Sequence, residues 1–169
     1  AAAEAGQSLD QVKAVAEKVI ANVRSLGFAL TSCTVPAKGS PTFVLAEDEI
    51  EFGVGIHGEP GTAREKLSSA DDLAKRIVDK IADDLPFKTG DEVAVMINGL
   101  GGTPLHELYL FNRSVGKYVE ARGLKVHKTM VGNYMTSIDM AGASVTLMKL
   151  DAETKALLDA PADTPALKV

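Results

Sequence analysis

Apolar residues near the start of the chain recur at steps of three and four: Leu9, Val12, Val15, Val19, Ile20, Val23 and Leu26. That spacing predicts one face of a helix. Ser8, just before the stripe, and Gln11 stand at capping-box separation, and Gly27 offers the left-handed position that ends a helix. Three apolar β-type runs follow, Phe28 to Val35, Thr42 to Leu45 and Ile50 to Ile56. Pro36, Gly39, Pro41 and the acidic Glu47-Asp48-Glu49 turn separate them. Ser69 with Asp72 opens a second helix carrying Leu73, Ile77, Ile81 and Leu85, and Pro86 stops it.

Val93 to Ile97 lacks polar alternation and reads as a strand buried on both faces. A glycine-rich turn, Asn98 to Gly102, leads into Thr103 as N-cap and Pro104 at the first helical position. The stripe Leu105, Leu108, Phe111, Val115, Tyr118 and Val119 makes this a helix that Gly123 closes. Lys125 to Val131 and Ser144 to Leu150 read as two further strands. Asp151 caps a last short helix with Leu157 and Leu158, and the tail from Pro161 to Val169 is expected to be extended. Consecutive strands break strict βαβ alternation twice, so a mixed sheet is indicated. The predicted architecture is α/β: a two-layer domain with a mixed, about six-stranded sheet and helices packed on it. Residues 1–7, rich in alanine, are expected to be a linker or the remnant of a preceding segment, and 8–169 a single domain.

Composition changes this picture by exclusion. With 169 residues the chain can bury one core without staples. The balance of 18 basic against 23 acidic residues gives a net charge of −5, which disfavours nucleic acid and anionic membranes as partners. One cysteine, Cys33, excludes an intrachain disulfide and a thiolate-rich zinc site. No apolar run approaches the roughly 18 residues of a membrane span, and no secretory signal opens the chain. A cytoplasmic location is therefore expected.

Three segments could carry chemistry. In Phe52-Gly53-Val54-Gly55-Ile56-His57-Gly58-Glu59-Pro60-Gly61 a strand runs out into a histidine framed by glycines. Gly55 and Gly58 would let another molecule approach the backbone, and neutral imidazole is a nucleophile near pH 7. The histidine can equally be structural. Metal binding by His57 and Glu59 is disfavoured, because the pair lacks the P-C-x-x-C half of a deaminase zinc signature. Asn98-Gly99-Leu100-Gly101-Gly102-Thr103-Pro104 could offer free N–H groups to a phosphate at a helix start. It matches neither G-x-G-x-x-G nor a P-loop, and a tight packing turn explains it as well. Asn133 to Gly142 is an uncharged turn segment with one acid, Asp139, whose commoner role is to cap a turn.

Several stretches together resemble dihydroxyacetone kinase, specifically the C-terminal half of its substrate-binding K subunit. They are Cys33-Thr34-Val35-Pro36, Glu51 to Gly61, Asn98 to Pro104, Glu107-Leu108-Tyr109, Val131 to Ser137, Asp139-Met140-Ala141-Gly142 and Leu158-Asp159-Ala160-Pro161. They stand in family order and span nearly the whole chain from Ser8. The resemblance implies a mixed six-stranded second domain whose first-domain companion, an N-terminal domain of the same subunit, is absent. It implies that His57 binds dihydroxyacetone covalently as a hemiaminal, for phosphorylation to dihydroxyacetone phosphate. It places no cofactor on this chain: ATP or ADP with magnesium belongs to a partner L subunit or domain. The donor is then ATP or a phosphotransferase-charged ADP. A homodimer is also expected, and this fragment alone is expected to be inactive. Two alternatives stay open: a dihydroxyacetone-sensing regulator that partners a transcription activator, and a small-ligand-binding domain without chemistry.

Overall fold

The computed structural model describes residues 1–165, 167 and 168. Its elements run α1 (Leu9–Ala21), β1 (Val23–Ala29), β2 (Glu49–Phe52), β3 (Ala63–Lys66), α2 (Ala70–Asp84), β4 (Glu92–Gly99), α3 (Leu105–Ala121), β5 (Lys125–Gly132), β6 (Gly142–Lys149) and α4 (Ala152–Asp159). The strands form one six-stranded sheet in the order β3-β2-β1-β6-β4-β5. The β4–β5 pair is parallel and the other pairs are antiparallel, so the sheet is mixed as expected.

One face of the sheet carries the core. Strand alternation sends Phe28, Val93, Val95, Ile97, Val145 and Leu147 toward α2 and α3. Leu73 and Ile77 of α2 and Leu108, Phe111 and Val115 of α3 meet them. Phe28 and Phe111 pack edge to face with ring centroids 5.4 Å apart. The opposite side of the same strands presents Ser25, Gly27, Met96, Asn98, Ser144 and Thr146. A smaller cluster of Ala29, Cys33, Val54, Leu100 and Met140 fills one end of the sheet.

The capping signals of α1, α2 and α4 are realised. Ser8 and Gln11 form a reciprocal capping box, and Ser69 and Asp151 each accept an N–H three residues on. Element boundaries differ in several places. The first helix does not continue to Leu26: it stops at Ala21, and Val23–Ala29 is a strand. Val23 and Leu26 continue the three-residue helical step, whereas Leu26 and Phe28 alternate as in a strand, and seven-residue pairing with β6 decides between them. Gly27 is therefore no helix cap; a Cβ there would lie 3.2 Å from the Ser144 Cβ across the ladder.

The expected strand from Phe28 ends at Ala29, and Thr42 to Leu45 is not a strand. Thr34 and Pro41 form only an isolated bridge. The backbone of this proline-interrupted stretch finds side chains instead of a ladder. Thr34 N–H donates to Asp139 Oδ1 (3.0 Å) and Phe43 N–H to Ser32 Oγ (3.0 Å). The expected strand from Ile50 to Ile56 ends at Phe52, because Gly53 adopts φ +80° and turns the chain.

The sixth strand is Ala63–Lys66, whose sequence Ala-Arg-Glu-Lys contains no apolar run to signal it. It lies at the sheet edge, where charged side chains are favoured. At the start of α3 the cap is Pro104 with no side-chain bond, not Thr103. The Thr103 hydroxyl is committed to β6 instead, donating to Gly142 O (2.8 Å) and accepting from Gly142 N–H (2.7 Å). The tail is not extended throughout: Asp163 and Lys168 pair as an antiparallel bridge, and Thr164 N–H donates to Leu167 O (3.0 Å). The remainder of that expectation, at Ala166 and Val169, lies outside the described residues.

Candidate functional site

His57 stands on the loop that joins β2 to β3, the last two strands at one edge of the sheet. Both ends of this loop are fastened. Gly53 N–H donates to Gly27 O (2.7 Å) and Thr62 N–H to Phe52 O (2.7 Å). Glu51, only 6% exposed on β2, accepts Gly61 N–H (2.9 Å) and Arg64 Nε–H (3.2 Å). A charged residue in a buried strand is stable when such partners satisfy it.

Within this base the glycines set the path. Gly58 has φ +76°, a left-handed conformation that side-chain-bearing residues avoid, and its N–H donates to Gly55 O (3.1 Å). A Cβ on Gly58 would also lie 2.7 Å from the Thr42 hydroxyl. The turn brings Glu59 back onto His57. The imidazole Nδ1 is 2.7 Å from Glu59 Oε1, and His57 N–H donates to Glu59 Oε2 (2.9 Å). At Gly55 a Cβ would overlap Glu59 Oε2, so its glycine leaves room for the carboxylate. The His57 side chain is nonetheless 80% exposed and that of Glu59 53%. The Glu59 backbone N–H and the His57 ring together hold the Glu59 carboxyl below the usual carboxylate range.

Beside the loop lies an open cavity of about 310 Å³. Gly53, Val54, Gly55 and Ile56 form one wall, and Ser25, Asn98, Ser144 and Thr146 belong to its polar lining. Asn98 is 1% exposed yet fully engaged: its Oδ1 accepts Tyr134 N–H (2.9 Å) and Met135 N–H (2.8 Å). Its Nδ2 donates to Met135 O (2.6 Å) and Ser144 Oγ (3.2 Å). One buried amide thus holds the loop after β5 against the sheet.

The second glycine segment is closed. Leu100 N–H donates to Gly142 O (3.3 Å) and Gly102 N–H to Met140 O (2.8 Å), so these amides face no phosphate. Cβ atoms on Gly101 and Gly102 would come within 2.9 Å of the backbone oxygens of Ser137 and Asp139. The packing-turn reading applies there. Asp139 Oδ1 accepts the Thr34 N–H (3.0 Å) and so bonds the loop at Thr34. Cys33 is buried. Among the described residues no three His, Cys, Asp or Glu side chains converge on a metal-sized site, and His57 and Glu59 stand as a pair. No described helix is long and apolar enough to cross a membrane.

Sequence reasoning weighed Glu59 only as a metal ligand and missed its pairing with the His57 ring; the two-residue spacing across a glycine was the available signal. It also missed Glu51, whose signal was a lone acid between Ile50 and Phe52.

Fold and site together define a two-layer α/β domain with a mixed six-stranded sheet and a histidine displayed on a glycine-built edge loop. The chain belongs to the Dak1 domain family, whose model matches residues 1–166. It is 50% identical over 167 residues to the PTS-dependent dihydroxyacetone kinase 1, dihydroxyacetone-binding subunit DhaK, of Listeria innocua, covering 98% of this chain and 51% of that protein. The chain therefore spans about half the length of that relative. Among solved structures it is similar to the dihydroxyacetone kinase operon co-activator Dha-DhaQ, with TM-score 0.87 and 37% identity over 95% of this chain and 50% of that one. It is similar as well to the dihydroxyacetone kinase of C. freundii, with TM-score 0.76 and 32% identity over 94% of this chain and 29% of that one.

Proposed function

We propose that this chain is the second domain of a dihydroxyacetone-binding kinase subunit and that His57 captures the substrate as a covalent hemiaminal. The observation that carries the reading is the display of His57 itself. Its backbone is fixed by a fastened loop while its ring stands in solvent, and Gly53 to Ile56 of the same loop wall the neighbouring cavity. Kinship with the Listeria innocua subunit supports the substrate assignment.

The chemistry follows from the groups. An imidazole nitrogen gives its lone pair to the ketone carbon, the carbonyl π pair moves to oxygen, and that oxygen gains a proton as the ring loses one. The substrate is then held in one orientation, which turns a loose encounter into a positioned reaction. Glycerol has the hydroxyls but no carbonyl, so it cannot form the bond. The terminal hydroxyl remains free to receive phosphate.

Nucleotide and magnesium belong, in this reading, to a partner L-type subunit or domain. The glycine-rich turn of this chain does not fit a nucleotide phosphate, because its Leu100 and Gly102 amides are already bonded. An N-terminal domain of the same subunit supplies the remaining pocket wall, and a cytoplasmic homodimer completes the assignment. A second reading, a dihydroxyacetone-sensing regulator, is supported by the TM-score of 0.87 to an operon co-activator.

The test is crystallographic and then enzymatic. Crystals of the whole subunit soaked in dihydroxyacetone should show continuous density from the His57 ring to the ketone carbon. Borohydride should fail to trap the adduct, since an imidazole hemiaminal cannot lose water to a neutral imine as a lysine adduct does. Density at non-bonded distance, or a trapped lysine adduct, overturns the covalent reading. Phosphoryl transfer on adding an L-type partner with nucleotide separates kinase from regulator.

A further inference from the structure

His57 offers two ring nitrogens, and the structure distinguishes them. We propose that Glu59 is the positioning residue of this site: its carboxylate keeps the proton of neutral His57 on Nδ1 and thereby presents Nε2, lone pair free, as the nucleophilic atom. The inference rests on the covalent reading above and assigns the atom and the residue behind it.

Three features argue that the pairing is built into the loop. Both carboxylate oxygens engage the same residue, Oε1 at the ring Nδ1 (2.7 Å) and Oε2 at the backbone N–H (2.9 Å). The backbone bond fixes where the carboxylate sits, and the ring bond fixes how the imidazole turns. Gly55 and Gly58 both serve this arrangement, one by lacking a Cβ that would overlap Oε2, the other by the positive φ that brings Glu59 back. Pro60 follows immediately, and a residue before proline is confined to extended backbone, which further limits the positions open to Glu59.

An ionised carboxylate accepts hydrogen bonds and cannot donate them, so the 2.7 Å contact requires the proton on Nδ1. The Glu59 carboxyl, held below its ordinary range, is ionised near neutral pH. No hydrogen bond among the described residues engages Nε2.

The addition step then balances without any further reagent. The Nε2 lone pair forms the bond to the ketone carbon, and the carbonyl π pair moves to oxygen. That oxygen takes a proton from water. The ring, cationic after addition, releases its Nδ1 proton through Glu59 to the hydroxide so formed. Glu59 touches no substrate atom; it orients the ring and stabilises the transient cation.

The test reads the tautomer directly. Long-range proton–nitrogen NMR of the protein at a pH where His57 is neutral should show the proton on Nδ1. Glu59→Ala should move it toward Nε2, the form free histidine favours. Gly55→Ala should do the same with Glu59 intact, because the added methyl displaces the carboxylate. Glu59→Gln, whose amide oxygen can still accept from Nδ1–H, should restore much of the wild-type signal. With carbon-13 dihydroxyacetone, adduct yield should fall about tenfold or more in Glu59→Ala and recover partly in Glu59→Gln. A wild-type proton on Nε2, or a tautomer unmoved in both Glu59→Ala and Gly55→Ala, overturns the role of Glu59 while the covalent reading stands. No adduct in the wild-type protein overturns the covalent reading, and the nucleophile assignment with it.

Discussion

Two glycine-rich turns leave this sheet, one after β2 and one after β4, and they put glycine to opposite uses. In the β4 turn the missing side chains let backbone pack on backbone: Gly101 and Gly102 press against residues 137–141, and the Leu100 and Gly102 amides are bonded to Gly142 and Met140. In the β2 turn Gly53, Gly55 and Gly58 clear space for side chains, and the outcome is an exposed imidazole paired with Glu59. The first turn is tied into the interior through Leu100, which packs in the smaller core cluster. The second has its anchorage at its base, through Glu51, Phe52 and Gly53, and leaves its tip in solvent. Similar local composition therefore gives a structural joint in one place and a candidate reactive surface in the other, and what decides is the element packed against each turn.

If that contrast holds, substitutions in the β4 turn should cost stability and those in the β2 loop should cost ligand binding. Asn98→Ala is expected to have the largest effect, about 2–4 kcal/mol, because it removes all four hydrogen bonds of a buried amide. A thermal melt followed by circular dichroism should fall by roughly 2–4 °C per kcal/mol. Gly102→Ala should follow at about 1–3 kcal/mol, since its methyl meets Asp139 O at 2.9 Å and Ala141 N at 3.0 Å. An unchanged melt there would show that residues 139–141 yield freely, and would break the comparison.

Gly58→Ala belongs in between. The left-handed backbone costs roughly 1–2 kcal/mol with a side chain, and the methyl crowds Thr42. Triose binding measured by calorimetry on the whole subunit should fall by more than the melt accounts for. A large stability loss with unchanged binding would move Gly58 into the class of Gly102. His57→Ala should stay within about 0.5 kcal/mol of wild type, as exposed positions do, and abolish triose binding. Retained binding would remove the β2 loop from the ligand site altogether.

The smallest effect concerns pH. The Glu59 carboxyl is lowered in the folded chain, so the contribution of its bonds is present above the ordinary carboxylate value of about 4.3 and is lost as pH falls through the lower folded value. Carbon-13 NMR of the Glu59 carboxyl should give a midpoint below that reference. A midpoint at or above it would mean that the bonds to His57 do not persist in solution.

Much of this fold was legible in the sequence, and the failures share a cause. The helix starts at Ser8, Ser69 and Asp151 depend on one side chain and an amide three residues away, and they stand where the local signals put them. Strands β4 and β6 are apolar enough to declare themselves. Val23 to Gly27 reads as the end of a helix because Val23 and Leu26 continue the helical step, and only pairing with β6, more than a hundred residues away, makes it a strand. Ala63–Lys66 was missed because an edge strand takes its order from a neighbour and needs no apolar pattern of its own.

The same division runs through the candidate site. Sequence by itself determined that a histidine would sit between glycines where a strand ends, since glycine and proline act on the backbone locally. It determined equally well that a second glycine-rich turn would precede a helix. Which of the two would be filled was decided only when the chain from Asn133 to Gly142 folded over the β4 turn and left the β2 turn uncovered. The pairing of Glu59 with the His57 ring was decided in the same way, for a two-residue spacing brings side chains together only when Gly58 reverses the chain between them. Local preferences are written along the backbone, whereas exposure and contact belong to whatever segments happen to meet, and those are fixed only by the packed whole.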